Sequence, residues 1–500
     1  MDTTSDDTRA WRLALWLVGA LTILRLAVLF MTPLELYPDE AQYWLWSRTL
    51  DFGYFSKPPM IAWLIAGTTT LGNEEAFVRL AAPLLNALTA LALFGVGQRL
   101  FGWKTGLVAC LVYSLMPGVQ LASGVISTDT PLLFFLSLAL LAYVTLQAQR
   151  SLGAAIALGV ALGLAMLSKY AAAYAIGGIV LHLVLSREAR EPWNLTRAFA
   201  AMISFGLVLA PNLMWNARHD FATVEHTASN AHWASDIGGL PELGGFLLSQ
   251  LGVFGPVPFV ALIGGAIVLA FRRRLTKEEV LLLCWAAPPL LAVAAQAFIS
   301  RANANWAASA YVAGSVLAAA WLVRWNARRW LIGGLGLQAL AAALFLIWVA
   351  FPKTADAMGA SNSFKRARGW EQTTRTIVER AKMEPGLTAV AVDDRFLFNA
   401  AAYYGRDYFG KEGPPLRMWV SSAHAQNQAE AEAPLTRELG GRVLAASLEG
   451  TYRERMAADF RNAWTVEIIR VRLDPERVRR VELMIGDGFE PKARQQSPSS

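Results

Sequence analysis

Residues 36–65, LYPDEAQYWLWSRTLDFGYFSKPPMIAWLI, place two adjacent carboxylates, Asp39 and Glu40, ahead of a lone Lys57 that is followed by two prolines. A carboxylate held beside a hydroxyl can act as a general base, so Asp39 and Glu40 are the catalytic candidates. Lys57 is a compact point charge suited to phosphate, and the prolines stiffen the chain that presents it. Lys169 in the turn LSKY and Arg301 in SRANANW offer further cations for the same anion. Tyr54, Asp129 in STDTPLL, His226 in RHDFATVEH, and Asn303, Asn305 and Tyr311 could hydrogen-bond sugar hydroxyls or phosphate. Charges mixed with aromatics in this way suit an amphiphilic, anionic substrate.

Each of these residues also has a purely structural reading. Asp39 could cap a helix, with Gln42 completing a capping box. Tyr43, Trp44 and Trp46 on the helix that follows would then form an interfacial aromatic belt. Lys57 and Lys169 could snorkel to lipid headgroups, and Tyr54 could be one more interfacial aromatic. Asp129, Asn303 and Asn305 stand where helix-capping residues stand. His219 and His226 are seven apart, which is not a zinc spacing, and solvated loop histidines are the default. Both readings stand at this point for every residue.

The elements that must position these side chains are membrane spans. The chain has 500 residues, 55% of them hydrophobic, and a mean hydropathy of +0.36. Apolar stretches long enough to cross a bilayer recur. Eleven spans are expected, near 11–31, 80–101, 105–122, 131–148, 152–168, 170–186, 198–215, 246–271, 280–299, 306–323 and 330–351. Alternate loops carry Arg99 and Lys104; Arg150; Arg187, Arg190 and Arg197; Arg272, Arg273, Arg274 and Lys277; then Arg324, Arg328 and Arg329. Retention of positive charge in the cytoplasm puts these loops and the N-terminus inside and the C-terminus outside. Loops 32–79 and 216–245 and the turns at 123–130, 168–170 and 300–305, which hold the candidate residues other than Tyr311, then share the outer face, and Tyr311 lies one to two turns into the span that follows. The first span lacks a small-residue cleavage site and reads as a retained helix.

The net charge of +7 needs no nucleic acid, because the basic loops account for it. Cys110 and Cys284 fall inside spans and give neither a disulfide framework nor metal spacing. The sequon Asn194-Leu-Thr196 lies on the predicted cytoplasmic side and is set aside. Beyond residue 351 the apolar runs shorten. Strands are expected at 387–394, 416–420, 441–447, 465–473 and 479–485, with helices at 370–383 and 451–463. Residues 352–490 thus form a small soluble α/β domain, expected to be periplasmic, and 491–500 a disordered tail.

The DE pair after the first span, the YFSKPP run, the DTPL helix start, the SKY turn and the AYYGRD segment together resemble bacterial membrane glycosyltransferases of the GT-C fold. These use polyprenyl-phosphate sugars as donors, and they include the aminoarabinose and galacturonic acid transferases of lipid A or lipopolysaccharide core and, more distantly, the protein O-mannosyltransferases. The resemblance implies an inner-membrane enzyme that transfers a sugar to an envelope acceptor, a glycolipid or glycoprotein. Asp39 would position or deprotonate the acceptor, Lys57 and Lys169 would hold the lipid phosphate, and Tyr54 and Asp129 would line the cavity. A sugar phosphate is already a good leaving group, so cations can replace a general acid, and direct displacement inverts the anomeric carbon. Ser56 stands where the aminoarabinose transferases have Glu. No metal ligands are assigned, and a divalent metal is left open. A lipid-linked sugar flippase is the rival of another class, but it would favour repeated halves and midplane charges, and no repeat is evident.

Overall fold

The computed structural model describes residues 3–221, 223–225, 239–272 and 274–494. Among the described residues up to 350 the regular elements are helices: α1 Thr3–Met31, α2 Pro38–Trp46, α3 Met60–Thr68, α4 Glu75–Arg79, α5 Ala81–Phe101, α6 Trp103–Ser114, α7 Pro117–Gly124, α8 Asp129–Gln149, α9 Leu152–Ser168, α10 Ala173–Leu185, α11 Leu195–Arg218, α12 Gly239–Val253, α13 Pro256–Phe271, α14 Lys277–Ile299, α15 Ala310–Arg324 and α16 Arg328–Ala350. Among the described residues six helices are long and apolar enough to cross a membrane. A seventh arises if α6 and α7, bent by 57° at their junction, count as one. Four shorter apolar helices, α9, residues 170–185, α13 and α15, fill the spaces between them.

Two expected spans are interrupted. The stretch 105–122 breaks at Met116, because Pro117 cannot donate into the preceding turn. The stretch 246–271 becomes two helices, with Gly255 at φ 101 between Val253 and Pro256. The left-handed region suits only glycine without strain. A Cβ there would also meet the Gln338 amide at 2.4 Å. Asn194 caps α11, its side chain accepting from the Arg197 N–H.

Helix ends alternate between two faces. At one face Arg99, Arg150 and Lys277, from three of the basic loops, line a single cavity of about 550 Å³. Exposed pairs there join Arg150 to Glu191 and Lys277 to Glu188. At the opposite face lie α2, α3, the α7–α8 turn and the α9–α10 turn.

The sheet domain sits over that second face. Its strands are β1 Ala389–Val392, β2 Leu416–Met418, β3 Arg442–Leu448, β4 Phe460–Arg472 and β5 Val478–Phe489, in the order β2-β1-β3-β5-β4. β1 runs parallel to both β2 and β3, while β5 is antiparallel to β3 and β4. Helices α17 Trp370–Met383 and α18 Arg395–Tyr404 cover one side. The helix expected over 451–463 is only the turn Arg453–Ala457, and Phe460 already belongs to β4. Pairing with β5 decides those residues, overriding their local helix preference.

Contact between the two parts is specific. The Leu36 N–H donates to the Tyr404 hydroxyl at 2.9 Å, and the Tyr403 hydroxyl donates to the Asn73 carbonyl at 2.7 Å. The Phe55 N–H donates to Gln428 Oε1 at 3.1 Å, and the Trp370 N–H donates to the Glu35 carboxylate. Tyr43, Trp44 and Trp46 are buried in a core with Tyr403 and form no lipid-facing belt.

Candidate active site

The two adjacent carboxylates have opposite surroundings. Asp39 and Glu40 are the second and third residues of α2, which Pro38 opens. Glu40 turns back into the protein. Its Oε2 accepts from the Tyr37 N–H at 2.9 Å and pairs with Arg79 Nη2 at 2.7 Å. Its Oε1 accepts from the Ile126 N–H and from Arg79 Nε, both at 2.9 Å. Arg79 also donates to the Leu34 and Glu35 carbonyls, at 2.9 and 2.7 Å. Glu40 is 0% exposed and Arg79 2%. No substrate reaches a carboxylate so enclosed, so Glu40 is structural and not a catalytic partner of Asp39. The N-cap of α2 is Tyr37 and not Asp39: Glu40, at the third helical position, reaches back to the Tyr37 N–H, and the box of Asp39 with Gln42 does not form.

Asp39 is exposed and makes no side-chain hydrogen bond or ion pair among the described residues. Its charge nevertheless reaches inward. It acts on Lys57 and on Tyr43, whose hydroxyl burial pushes well above the ordinary tyrosine range, with Asp39 and Asp129 adding to the effect.

Lys57 is presented by a braced loop. The Tyr54 N–H donates to the Lys57 carbonyl at 3.1 Å, and Pro59 occupies the N-cap of α3. From α11, Asn212 Nδ2 donates to the Phe52 carbonyl at 2.6 Å and the Trp215 indole donates to Asp51 Oδ2 at 2.7 Å. Gly53 lies so close to the Trp215 ring that a Cβ would fall 2.3 Å from it. The Lys57 amine is half-buried and has no carboxylate within ion-pair distance among the described residues. Burial lowers its pKa, as do Lys169 and Arg395 nearby, while Asp39 and Asp129 oppose the shift.

Lys169 and Asp129 meet across a helix junction. Lys169, just past the end of α9, pairs with Asp129 Oδ1 at 2.7 Å, and Asp129 is the first residue of α8. Asn305 Nδ2 donates to the other oxygen, Oδ2, at 2.8 Å. Three segments far apart in sequence are thereby joined beside Lys57.

Other candidates lie elsewhere. The Tyr54 hydroxyl donates to the Trp46 and Thr49 carbonyls at 3.1 and 3.0 Å, and its ring stacks on Trp46 at 4.8 Å. It braces the loop and does not face the charged cluster. Tyr311 is fully buried, stacked on Phe254, with its hydroxyl donating to Gln250 Oε1 at 2.7 Å. Arg301 and Asn303 are exposed and make no hydrogen bond to the cluster. His226 and Arg273 lie outside the described residues.

Sequence reasoning missed two arginines. Arg79 ends the short helix α4, and its partner Glu40 is remote along the chain. Arg395 opens α18 in the sheet domain, yet it acts on both Lys57 and Tyr43. Its position after Asp394, which caps α18 by accepting from the Phe396 and Leu397 N–H groups, is a local signal for a helix start and for nothing more. Among the described residues no three His, Cys, Asp or Glu side chains gather to hold a metal ion.

The site is therefore an exposed carboxylate, a half-buried lysine with no carboxylate partner among the described residues, and a second lysine clamped by an aspartate, at one face of an apolar helical body. A family described as dolichyl-phosphate-mannose-protein mannosyltransferase matches residues 56–215. The lipid A galacturonosyltransferase RgtD of Rhizobium johnstonii is 36% identical over 399 residues, covering 79% of this chain and 83% of that protein. An undecaprenyl phosphate-α-4-amino-4-deoxy-L-arabinose arabinosyl transferase of Sodalis glossinidius is 30% identical, and the chain spans about half of its length (54%). Among solved structures, ArnT from Cupriavidus metallidurans superposes with a TM-score of 0.66 at 18% identity, over 94% of this chain and 97% of that one. Its form bound to undecaprenyl phosphate gives 0.65. The chain belongs to the polyprenyl-phosphate-sugar-dependent glycosyltransferases of family 39, with the GT-C fold. It is a multi-pass membrane glycosyltransferase of the inner membrane.

Proposed function

We propose that the protein transfers a sugar from a polyprenyl-phosphate donor to lipid A or lipopolysaccharide core, with Asp39 as the base on the acceptor hydroxyl and Lys57 as the donor-phosphate ligand. The observation that carries this reading is the pairing of an exposed, unbonded Asp39 with a half-buried Lys57 that has no counter-ion among the described residues. A desolvated cation without a carboxylate is an anion site in waiting. Lys169, paired with Asp129, shapes that site, and the opposite effects of the two charges on Lys57 partly offset. As the sugar–phosphate bond breaks, charge grows on the leaving phosphate, where Lys57 stabilises it. Asp39 takes the proton as the acceptor oxygen attacks from the opposite side, and the anomeric configuration inverts.

A uronic acid is the sugar we favour. Sequence likeness to a galacturonosyltransferase extends over most of both chains, whereas sequence likeness to the aminoarabinose transferases covers about half of them. Ser56, buried beside Lys57, supplies no carboxylate for an amino sugar.

The basic loops at the far face support a cytoplasmic N-terminus and a periplasmic sheet domain. Mass spectrometry of envelope glycolipids and glycoproteins, with and without the gene, tests the whole reading. Loss of a hexuronate from lipid A is expected. Loss of a hexose from a protein would favour the O-mannosyltransferase-like alternative, and an unchanged envelope would contradict both.

A further inference from the structure

A second cavity, of about 450 Å³, lies between α2 and the sheet domain, and Arg48, Arg395, Arg406 and Arg417 line it against a single carboxylate, Glu432. That carboxylate is engaged by Gln428 Nε2 at 2.5 Å. None of the four guanidinium groups lies within ion-pair distance of a carboxylate among the described residues. Several arginines elsewhere in the sheet domain do have carboxylate partners: Arg368 meets Asp356, Arg380 and Arg442 meet Glu384, and Arg477 meets Asp474.

The four are instead held by neutral groups. Arg48 lies 5.1 Å from the Trp44 ring centre, Arg406 4.7 Å from Tyr403 and Arg395 4.8 Å from Phe396. A ring face attracts a guanidinium without occupying its donor fork. The N–H groups that are used go to neutral oxygens: Arg48 to Ser47 and Thr69 hydroxyls, Arg406 to the Tyr403 carbonyl and Arg417 to the Leu416 carbonyl. Charge is thus concentrated, oriented and uncompensated in a space large enough for a sugar-sized group.

We propose that this cavity is the acceptor's subsite, binding a phosphate monoester on the glycolipid that receives the sugar. The inference rests on the glycosyl-transfer reading above. Planar guanidinium forks match phosphate oxygens two at a time. Arg395 joins the cavity to the reaction centre, since it lines the one and acts on Lys57 in the other. The donor's phosphate already has a ligand in Lys57, which leaves these arginines for a second anion on the acceptor.

The test uses the full-length protein in lipid nanodiscs, a polyprenyl-phosphate sugar as donor, and lipid A acceptors with and without their phosphate monoesters. For the double variant Arg406→Gln/Arg417→Gln, KM for the phosphorylated acceptor should rise about tenfold or more. Its kcat and its donor KM should match the wild type, which also establishes that it is folded. With the dephosphorylated acceptor, wild type and variant should share the same raised KM. A phosphorylated-acceptor KM within twofold of wild type would overturn the subsite. So would an equal loss on both acceptors, or a rise in donor KM, which would assign the arginines to the donor. Absence of any transfer by the wild-type protein would instead overturn the underlying glycosyl-transfer reading.

Discussion

Glu40 and Arg79 form a fully buried ion pair, 2.7 Å between Oε2 and Nη2, one residue along the chain from an exposed Asp39. Four further hydrogen bonds saturate the pair, tying α2, α4, the chain at 34–37 and the turn before α8 into one block. Removing one partner leaves the other as an uncompensated buried charge, at a cost of about 3–5 kcal/mol. Glu40→Gln should therefore lower thermal stability sharply and reduce the amount of folded protein recovered. A variant as stable as wild type would contradict the structural role.

Lys57 carries a pH signature. Its pKa is lowered in the free enzyme, so its charge is lost, as pH rises, before that of an ordinary lysine. Bound donor phosphate favours the charged form, so donor affinity should fall as pH rises through that lowered value. Lys57→Arg stays protonated throughout and should flatten the alkaline limb of donor KM. Lys57→Ala should weaken donor use on the order of 10- to 100-fold, from the strength of a hydrogen bond to a charged group. An alkaline limb identical in wild type and Lys57→Arg would remove Lys57 from the phosphate site.

In the sheet domain, burial pushes the Asp393 carboxyl up to about 6, against the lowering effect of its hydrogen bonds to Ser447 and the Leu448 N–H. A raised carboxyl pKa means the folded state binds the proton more tightly than the unfolded chain. The resulting stabilisation is complete below the unfolded pKa near 4 and is lost as pH rises through about 6. The amount at stake is about 3 kcal/mol. Unfolding midpoints of the wild type should fall between pH 4 and 7, and Asp393→Asn should lose most of that slope. Parallel curves for the two proteins would refute the assignment.

A single introduced cysteine tests the orientation. Cys110 and Cys284 are buried, so background labelling is low. Glu412→Cys, on the exposed surface of the sheet domain, should react with a membrane-impermeant maleimide in cells whose outer membrane alone is permeabilised. Labelling only after inner-membrane lysis would reverse the topology.

The sequence made the helical body and most of the charged cluster legible, for a common reason. Asp129 and Lys169 are polar residues at the ends of long apolar runs, where only a turn or a site can hold them. Asp39 and Lys57 stand out beside prolines. What stayed hidden depends on contacts between distant segments. Nothing local separates Asp39 from Glu40, because Arg79 and the Ile126 N–H decide which carboxylate is enclosed. Tyr54 and Tyr311 read as substrate ligands because a tyrosine whose hydroxyl is satisfied internally has the same sequence as one that is free. Arg395 was invisible because docking of the sheet domain, through Tyr403, Tyr404 and Gln428, brings it to the membrane part. The break at Gly255 was missed because hydropathy is blind to backbone φ.

The central claim is that Asp39 is the base, and the most direct measurement is single-turnover transfer by purified Asp39→Asn from a polyprenyl-phosphate uronic acid to lipid A, followed by mass spectrometry. The variant should bind donor and unfold as the wild type does while the transfer rate falls on the order of 10²- to 10⁴-fold. Transfer at the wild-type rate would contradict the account and leave Asp39 as nothing more than a solvated residue on the first turn of α2.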